Sequence, residues 1–355
     1  MTGIEQQSAA GYTDVTFRWL SDVPVVVSLH LTGYPGSTIH GGIELTLTEP
    51  GVYATAVRVP DDACASYGFL VFDSVDAQHE MSIYKVLDNL VCDPRNPDVI
   101  HRAFGLGGST SVLELPGARR HPAWPEARGN NDDHDVSVYA IESSGRTLTI
   151  FPGDVGGPLL VMFDGDLWAG SRFGYREAMV TRNKKSIGPS PTAVLVSTPD
   201  RAILDKRAVM SQLFAGEILP ALRRAGVRWS EIIVAGQSYG GLAAAGLLVD
   251  LPDLVDAAIV QSGSFWFDEI GGERDYKRPG TITRTLGRLA GTQALSGRVV
   301  VQVGDKEGAM VDQSRWFANA AREAGFDVHF EVWSGGHDYA WYRHGLLYAI
   351  DNLYR

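Results

Sequence analysis

The chain has 355 residues, 45% of them apolar and 21% charged, with a net charge of -11. That is the composition of a globular protein long enough for two domains, and its acidic balance disfavours nucleic acid, which needs clustered lysine and arginine. No apolar run reaches bilayer length, and the opening MTGIEQQSAAGYTD lacks the basic start and apolar core of a secretory signal. A cytoplasmic protein with no membrane partner is therefore expected.

The first third reads as strands. VTFRWL (15–20), VVVSLHL (25–31), GIELTLTE (42–49), VYATAVRVP (52–60) and YGFLVFD (67–73) are short and rich in β-branched and aromatic residues. Gly, Pro and Asp clusters separate them at the spacing of an all-β, immunoglobulin-like sandwich, predicted over residues 1–125. The polar, proline-bearing stretch RRHPAWPEARGNNDDHD contains the predicted linker, residues 126–135.

From 136 to 355 the pattern becomes α/β. VSVYAIES and TLTIFPG suggest a hairpin; PLLVMFDGD, PTAVLVST, EIIVAGQ, DAAIVQSGS, GRVVVQVG and DVHFEVWSGG read as strands buried on both faces. Amphipathic stretches such as SQLFAGEILPALRRAG and VDQSRWFANAAREAGF lie between them, which predicts a mostly parallel sheet with crossover helices.

In VAGQSYGG, Ser238 sits between a predicted strand and a predicted helix, flanked by Gly236, Gly240 and Gly241. A nucleophile held on a sharp strand-to-helix turn needs such small neighbours, and the turn presents the next backbone N–H, that of Tyr239, to a developing oxyanion. A serine hydroxyl also needs a base and an orienting carboxylate, in the chain order serine, acid, histidine. VGDKEG offers Asp305 or Glu307, with Glu307 preferred, and SGGHDYAWYR offers His337, each just after a predicted strand. His344, inside a predicted helix, reads as structural ahead of substrate-contacting. A second oxyanion donor is expected at the Asp166 N–H, in the turn of MFDGDLWAG. Only Cys64 and Cys92 are present, with no C-x-x-C and no H-E-x-x-H, so neither a metal site nor a cofactor is expected.

Over nearly its full length the chain resembles the enterochelin (enterobactin) esterases, which pair an N-terminal β-sandwich with an esterase-D-like α/β-hydrolase domain. The resemblance is carried by VTFRW, DPRNP, SVLELP, HPAW, VMFDGDLWA, VAGQSYGGLAA, QSGSFWF, VGDKEGAM and GGHDYAWYR. It implies a catalytic acid at Glu307 and a histidine at His337. It also implies hydrolysis of the trilactone of a ferric catecholate siderophore, a small-molecule substrate that brings its own iron.

For such an anionic aromatic ligand, RNKKS (182–186), Arg119, Arg120, Arg201, Lys206 and Arg207 could supply charge. Trp168, Phe265 and Trp266 could supply stacking surface, with Trp266 and Arg201 the preferred pair. RAILDKRAV (201–209) departs from the family's R-x-x-E-L-x-C-N stretch, which opens the identity of the siderophore but not the ester chemistry. The alternatives are an esterase of acylated sugars or cinnamoyl-type esters, an acyltransferase of the mycolyltransferase kind, and a non-catalytic siderophore- or carbohydrate-binding protein.

Overall fold

The computed structural model describes residues 5–9, 11–34, 42–73, 88–100, 108–124, 137–141, 144–170, 173–185, 188–269, 275–292 and 295–355. The predicted linker, 126–135, lies outside the described residues. Two compact units emerge. The first holds Met1–Arg120 with Gly304–Lys306 and Ser334–His344; the second holds His121–Val303, Glu307–Trp333 and Gly345–Arg355. Placing everything after residue 135 in a single second domain is therefore corrected: two short C-terminal segments belong to the first unit. The physical reason is a set of buried polar bonds described below.

The first unit contains two antiparallel sheets. One has the order β1 (Glu5–Ala9), β2 (Tyr12–Leu20), β6 (Val52–Pro60), β5 (Thr46–Glu49). The other runs β4 (Ile43–Glu44), β3 (Val26–Leu31), β7 (Cys64–Phe72), β9 (Thr110–Glu114), β8 (Val99–Ile100). Alternate residues of facing strands fill the core, among them Val15 and Phe17, Val27 and Leu29, Tyr67 and Phe69. The predicted single strand 42–49 is two. At Leu45, buried and donating its N–H to the Val27 carbonyl at 2.8 Å, the chain leaves one sheet for the other.

In β7 the side-chain alternation has a second consequence. Ala65, Tyr67 and Phe69 face the sandwich core, so Cys64, Ser66 and Gly68 point the opposite way. Yet the strand is buried on both faces from Cys64 to Leu70. Small residues on the outer face leave room for a covering segment, and Ser334–His344 supplies it.

The second unit is built on an eight-stranded sheet. Its strands are β10 (Ser137–Ile141), β11 (Arg146–Phe151), β12 (Leu159–Met162), β13 (Thr192–Val196), β14 (Ile232–Gln237), β15 (Ala257–Gln261), β16 (Arg298–Gly304) and β17 (Asp327–Trp333). The spatial order is β10-β11-β13-β12-β14-β15-β16-β17. β10 and β11 form the expected antiparallel hairpin, and β13, β12, β14, β15 and β16 pair in parallel. The chain steps from β12 to β13 on one side, then returns to place β14 on the other. In α/β sheets a reversal of this kind places the ligand crevice at the carboxyl ends of the two strands that flank it, here β12 and β14.

The predicted helix of SQLFAGEILPALRRAG is interrupted. Helical turns at Arg207–Leu213 and Leu219–Arg224 are joined by a wider π-turn at Phe214–Ile218. Pro220 has no N–H to give the preceding turn and crowds the carbonyl four residues back, so the helix widens just before it.

Candidate active site

Both lips of the crevice are sharp turns that only their sequence permits. Ser238 stands between β14 and the helix Tyr239–Asp250 with φ 56° and ψ -119°, a strained conformation for a residue with a side chain. Its N–H donates to the Gln261 carbonyl, and its own carbonyl accepts from Leu242 and Ser264, each at 3.0 Å. A Cβ on Gly236 would lie 2.3 Å from the Gly240 carbonyl, so no other residue fits there. The helical ladder begins with the Leu242 N–H, and helix geometry leaves the N–H of Tyr239, the first helical residue, without an acceptor inside the helix.

The facing lip follows β12. Asp164 is left-handed at φ 55° and donates its N–H to Thr198 Oγ1 at 3.0 Å, while Asp166 Oδ2 accepts the Thr198 N–H at 2.9 Å. Gly165 is required, because a Cβ there would come within 2.6 Å of the Leu195–Val196 backbone. Asp166 is the second residue of the short helix Gly165–Ala169, so its N–H too has no partner within the helix.

Glu307 follows β16 and accepts a hydrogen bond from Ser262 Oγ at 2.5 Å. Ser262, at φ 49°, is another strained residue at the end of a parallel strand. Sequence reasoning passed over it; a serine in a QSG turn at the end of a buried strand was the available signal. Ser264 Oγ lies 3.5 Å from Ser238 Oγ. Asp305, the other candidate acid, accepts the Gly335 N–H at 3.0 Å and the Lys306 ammonium at 2.8 Å. His337 belongs to the first unit, an exposed residue between buried Gly336 and buried Asp338, with its ring edge-on to Tyr342 at 5.9 Å.

Beneath the turns runs a ladder of buried amides that the sequence did not announce. Trp168 Nε1 donates to Gln237 Oε1 at 3.2 Å, Gln237 Nε2 to Gln261 Oε1 at 2.8 Å, and Gln261 Nε2 to Gln302 Oε1 at 2.9 Å. Gln302 Nε2 then donates to Glu331 Oε2 and to the Gly345 carbonyl, both at 2.9 Å. Strand register puts the three glutamines side by side. Indole N–H can only donate and carboxylate can only accept, so the two ends fix the orientation of all three amides.

The ligand-contact expectations divide. Trp168 and Phe265 are corrected: both are in the core. Trp168 packs edge-on to Phe173 and Tyr175, and Phe265 stacks on Phe317 at 3.9 Å, so neither offers a face to a ligand. Arg182 is also withdrawn, being buried and paired with Asp351 at 2.8 Å. Arg207 is engaged by Asp250. Trp266 is buried as well, in an aromatic group beside the nucleophile turn with Tyr239 at 5.7 Å and Tyr276 at 5.3 Å between ring centroids. Arg201 keeps 40% of its side chain exposed while holding Asp164 Oδ2 at 2.7 Å. Burial pushes the Asp164 carboxyl up, and the Arg201 charge opposes that.

His344 is structural. Buried in the first unit, it meets Glu114 Oε2 at 3.0 Å. Burial lowers it to about 4, the Glu114 hydrogen bond opposing, so it is neutral at physiological pH. Cys64, Glu114 and His344 form the three-residue group with metal-ligand chemistry among the described residues. The guanidinium groups of Arg343 and Arg120 already sit on the same Glu114 carboxylate, at 3.0 and 3.4 Å, and would repel a cation. Among the described residues no helix is long and apolar enough to cross a membrane.

Comparison with known proteins agrees with this geometry. The Esterase family model matches residues 209–352. The iron(III) salmochelin esterase of Escherichia coli O6:H1 is 26% identical over 98% of this chain and 89% of its own. The iron(III) enterobactin esterase of Escherichia coli K12 is 25% identical over 76% of this chain and 69% of its own. Among solved structures, the ferric enterobactin esterase of Salmonella typhimurium superposes with a TM-score of 0.83 at 21% identity, covering 100% of this chain and 97% of that one. The Shigella flexneri enterobactin esterase, crystallised with 2,3-dihydroxy-N-benzoyl-serine, gives 0.77 at 25% identity over 100% and 96%. The similarity to the enterobactin and salmochelin esterases thus spans both the sandwich and the hydrolase sheet, and not the nucleophile turn alone.

Proposed function

We propose that the protein is a cytoplasmic serine esterase that hydrolyses the ester bonds of a ferric catecholate trilactone siderophore, with Ser238, His337 and Glu307 as its triad. Ser238 Oγ attacks a lactone carbonyl as His337 takes its proton, and Glu307 orients the imidazole and balances its charge. The oxyanion is held by the N–H groups of Tyr239 and Asp166. Collapse breaks the ester C–O bond, and His337 returns the proton to the departing seryl oxygen. Water then repeats the sequence on the acyl-enzyme. No cofactor takes part, and iron enters only with the substrate. Arg201, with 40% of its side chain exposed, faces the anionic catechol rings.

The observation that carries the reading is the strained Ser238 turn at the reversal of strand order, with Gly236 packed on Gly240 behind it. It is supported by relatives named for enterobactin and salmochelin hydrolysis, and by Asp305 being committed to Gly335 while Glu307 stands on Ser262. The test is chromatography of ferric enterobactin incubated with the protein. Linear dihydroxybenzoyl-serine products are expected, and Ser238→Ala should abolish them. Cleavage of p-nitrophenyl butyrate with ferric enterobactin left intact would overturn the substrate assignment.

A further inference from the structure

The segment that carries His337 is fastened to the β-sandwich by bonds that no catalytic scheme requires. Asp338, 1% exposed, accepts the backbone N–H of Ser66 and, at 2.6 Å, its hydroxyl. The same carboxylate accepts the Ala340 N–H at 3.0 Å, capping the final helix, Tyr339–Asn352. Ser66 lies on β7, the middle strand of its sheet, bonded to β3 on one side and β9 on the other. It is among the most constrained backbone in the unit.

Further contacts fix the residues just before His337. Gly336 rests against the Gly33 turn so closely that a Cβ on it would be 2.8 Å from Gly33 Cα. The Gly336 carbonyl accepts the Trp341 indole N–H at 2.6 Å, and Gly335 is bound at both ends, by Asp305 Oδ1 and by the Lys306 N–H. Beyond it, Arg343 forks onto Asp98 at 2.8 and 3.1 Å and reaches Glu114 at 3.0 Å. The exposed His337 ring thus stands on a backbone held on both flanks, and the buried Asp338 carboxylate is the adjacent tie.

We infer that Asp338 and Ser66 are positioning residues, and that one task of the β-sandwich is to hold the general base of the esterase in place. This rests on the reading of His337 as that base. Neither side chain is proposed to touch substrate. An imidazole freed to wander by about 1 Å loses on the order of 100-fold in rate while substrate binding is untouched.

The experiment compares Asp338→Asn, Ser66→Ala and His337→Ala with the full-length wild type. It measures kcat and KM on ferric enterobactin, the rate at which a fluorophosphonate probe labels Ser238, and the melting temperature. Asp338→Asn and Ser66→Ala should lower kcat and the labelling rate by about 10- to 100-fold with KM within about twofold. The hydroxyl deletion removes one bond and leaves the strand intact, so Ser66→Ala reports even if Asp338→Asn folds poorly. If both folded variants keep kcat and labelling within twofold while His337→Ala is inactive, or if they change KM alone, the positioning role is refuted. If His337→Ala itself keeps full activity, the base assignment has failed, and this inference falls with it.

Discussion

Replacing Gln261 with leucine should unfold the second unit far more easily than its distance from solvent-facing charge suggests. Gln261 is completely buried, and its amide is the middle rung between Gln237 Nε2 and Gln302 Oε1. Leucine fills a similar volume but leaves one donor and one acceptor facing an apolar group. Each orphan costs about 1–3 kcal/mol, and the leucine returns about 1–2 kcal/mol through its own burial. A net loss of about 2–4 kcal/mol is expected, read as a lower urea midpoint with unchanged slope. Gln261→Glu sharpens the test. A protonated carboxyl can still accept from Gln237 and donate to Gln302, and burial raises its pKa above the unfolded value. Its stability should therefore be best in acid and decline, relative to the wild type, as pH rises. If Gln261→Leu unfolds within about 1 kcal/mol of the wild type, the ladder is not a stabilising element and its directional order has no energetic meaning.

Further outcomes follow from named contacts. Gly236→Ala would drive a Cβ to 2.3 Å from the Gly240 carbonyl. Probe labelling of Ser238 should fall by at least about 100-fold, with stability reduced by about 1–3 kcal/mol. His344 titrates near 4 when folded against 6.5 as the ordinary value, so the unfolded chain binds the extra proton between those pH values. Stability should drop as pH falls through that window, by roughly 3 kcal/mol at its lower end. His344→Gln should flatten this part of a urea-midpoint-versus-pH curve, and an unchanged curve would contradict the buried neutral assignment.

The strands were legible because each is a short apolar or alternating run closed by Gly, Pro or Asp, and the strand–turn–helix setting of Ser238 followed from the glycines around it. The same local grammar could not place what depends on register or on contacts distant along the chain. Gln237, Gln261 and Gln302 are unremarkable until pairing sets them shoulder to shoulder. The bond from Ser66 to Asp338 spans 272 positions. Trp168 and Phe265 fit a stacking surface by composition, since an aromatic side chain reads alike whether it faces a ligand or a core. Only its neighbours tell, and here they are Phe173, Tyr175 and Phe317. The broken helix before β14 shows the reverse case: Pro220 was visible all along, but its apolar periodicity masked the widened turn.

Because Ser334–His344 is integral to the first unit, the chain has no single cleavage point that yields two whole pieces. A fragment starting at residue 121 would carry Asp338, Arg343 and His344, all shaped for burial, without Ser66, Asp98 and Glu114 to receive them. Evolution faces the same arithmetic as the protein engineer. Any descendant that discards the sandwich must rewrite DYAWYRH in the same step, so the two ends of the gene are bound to be inherited, and to change, together.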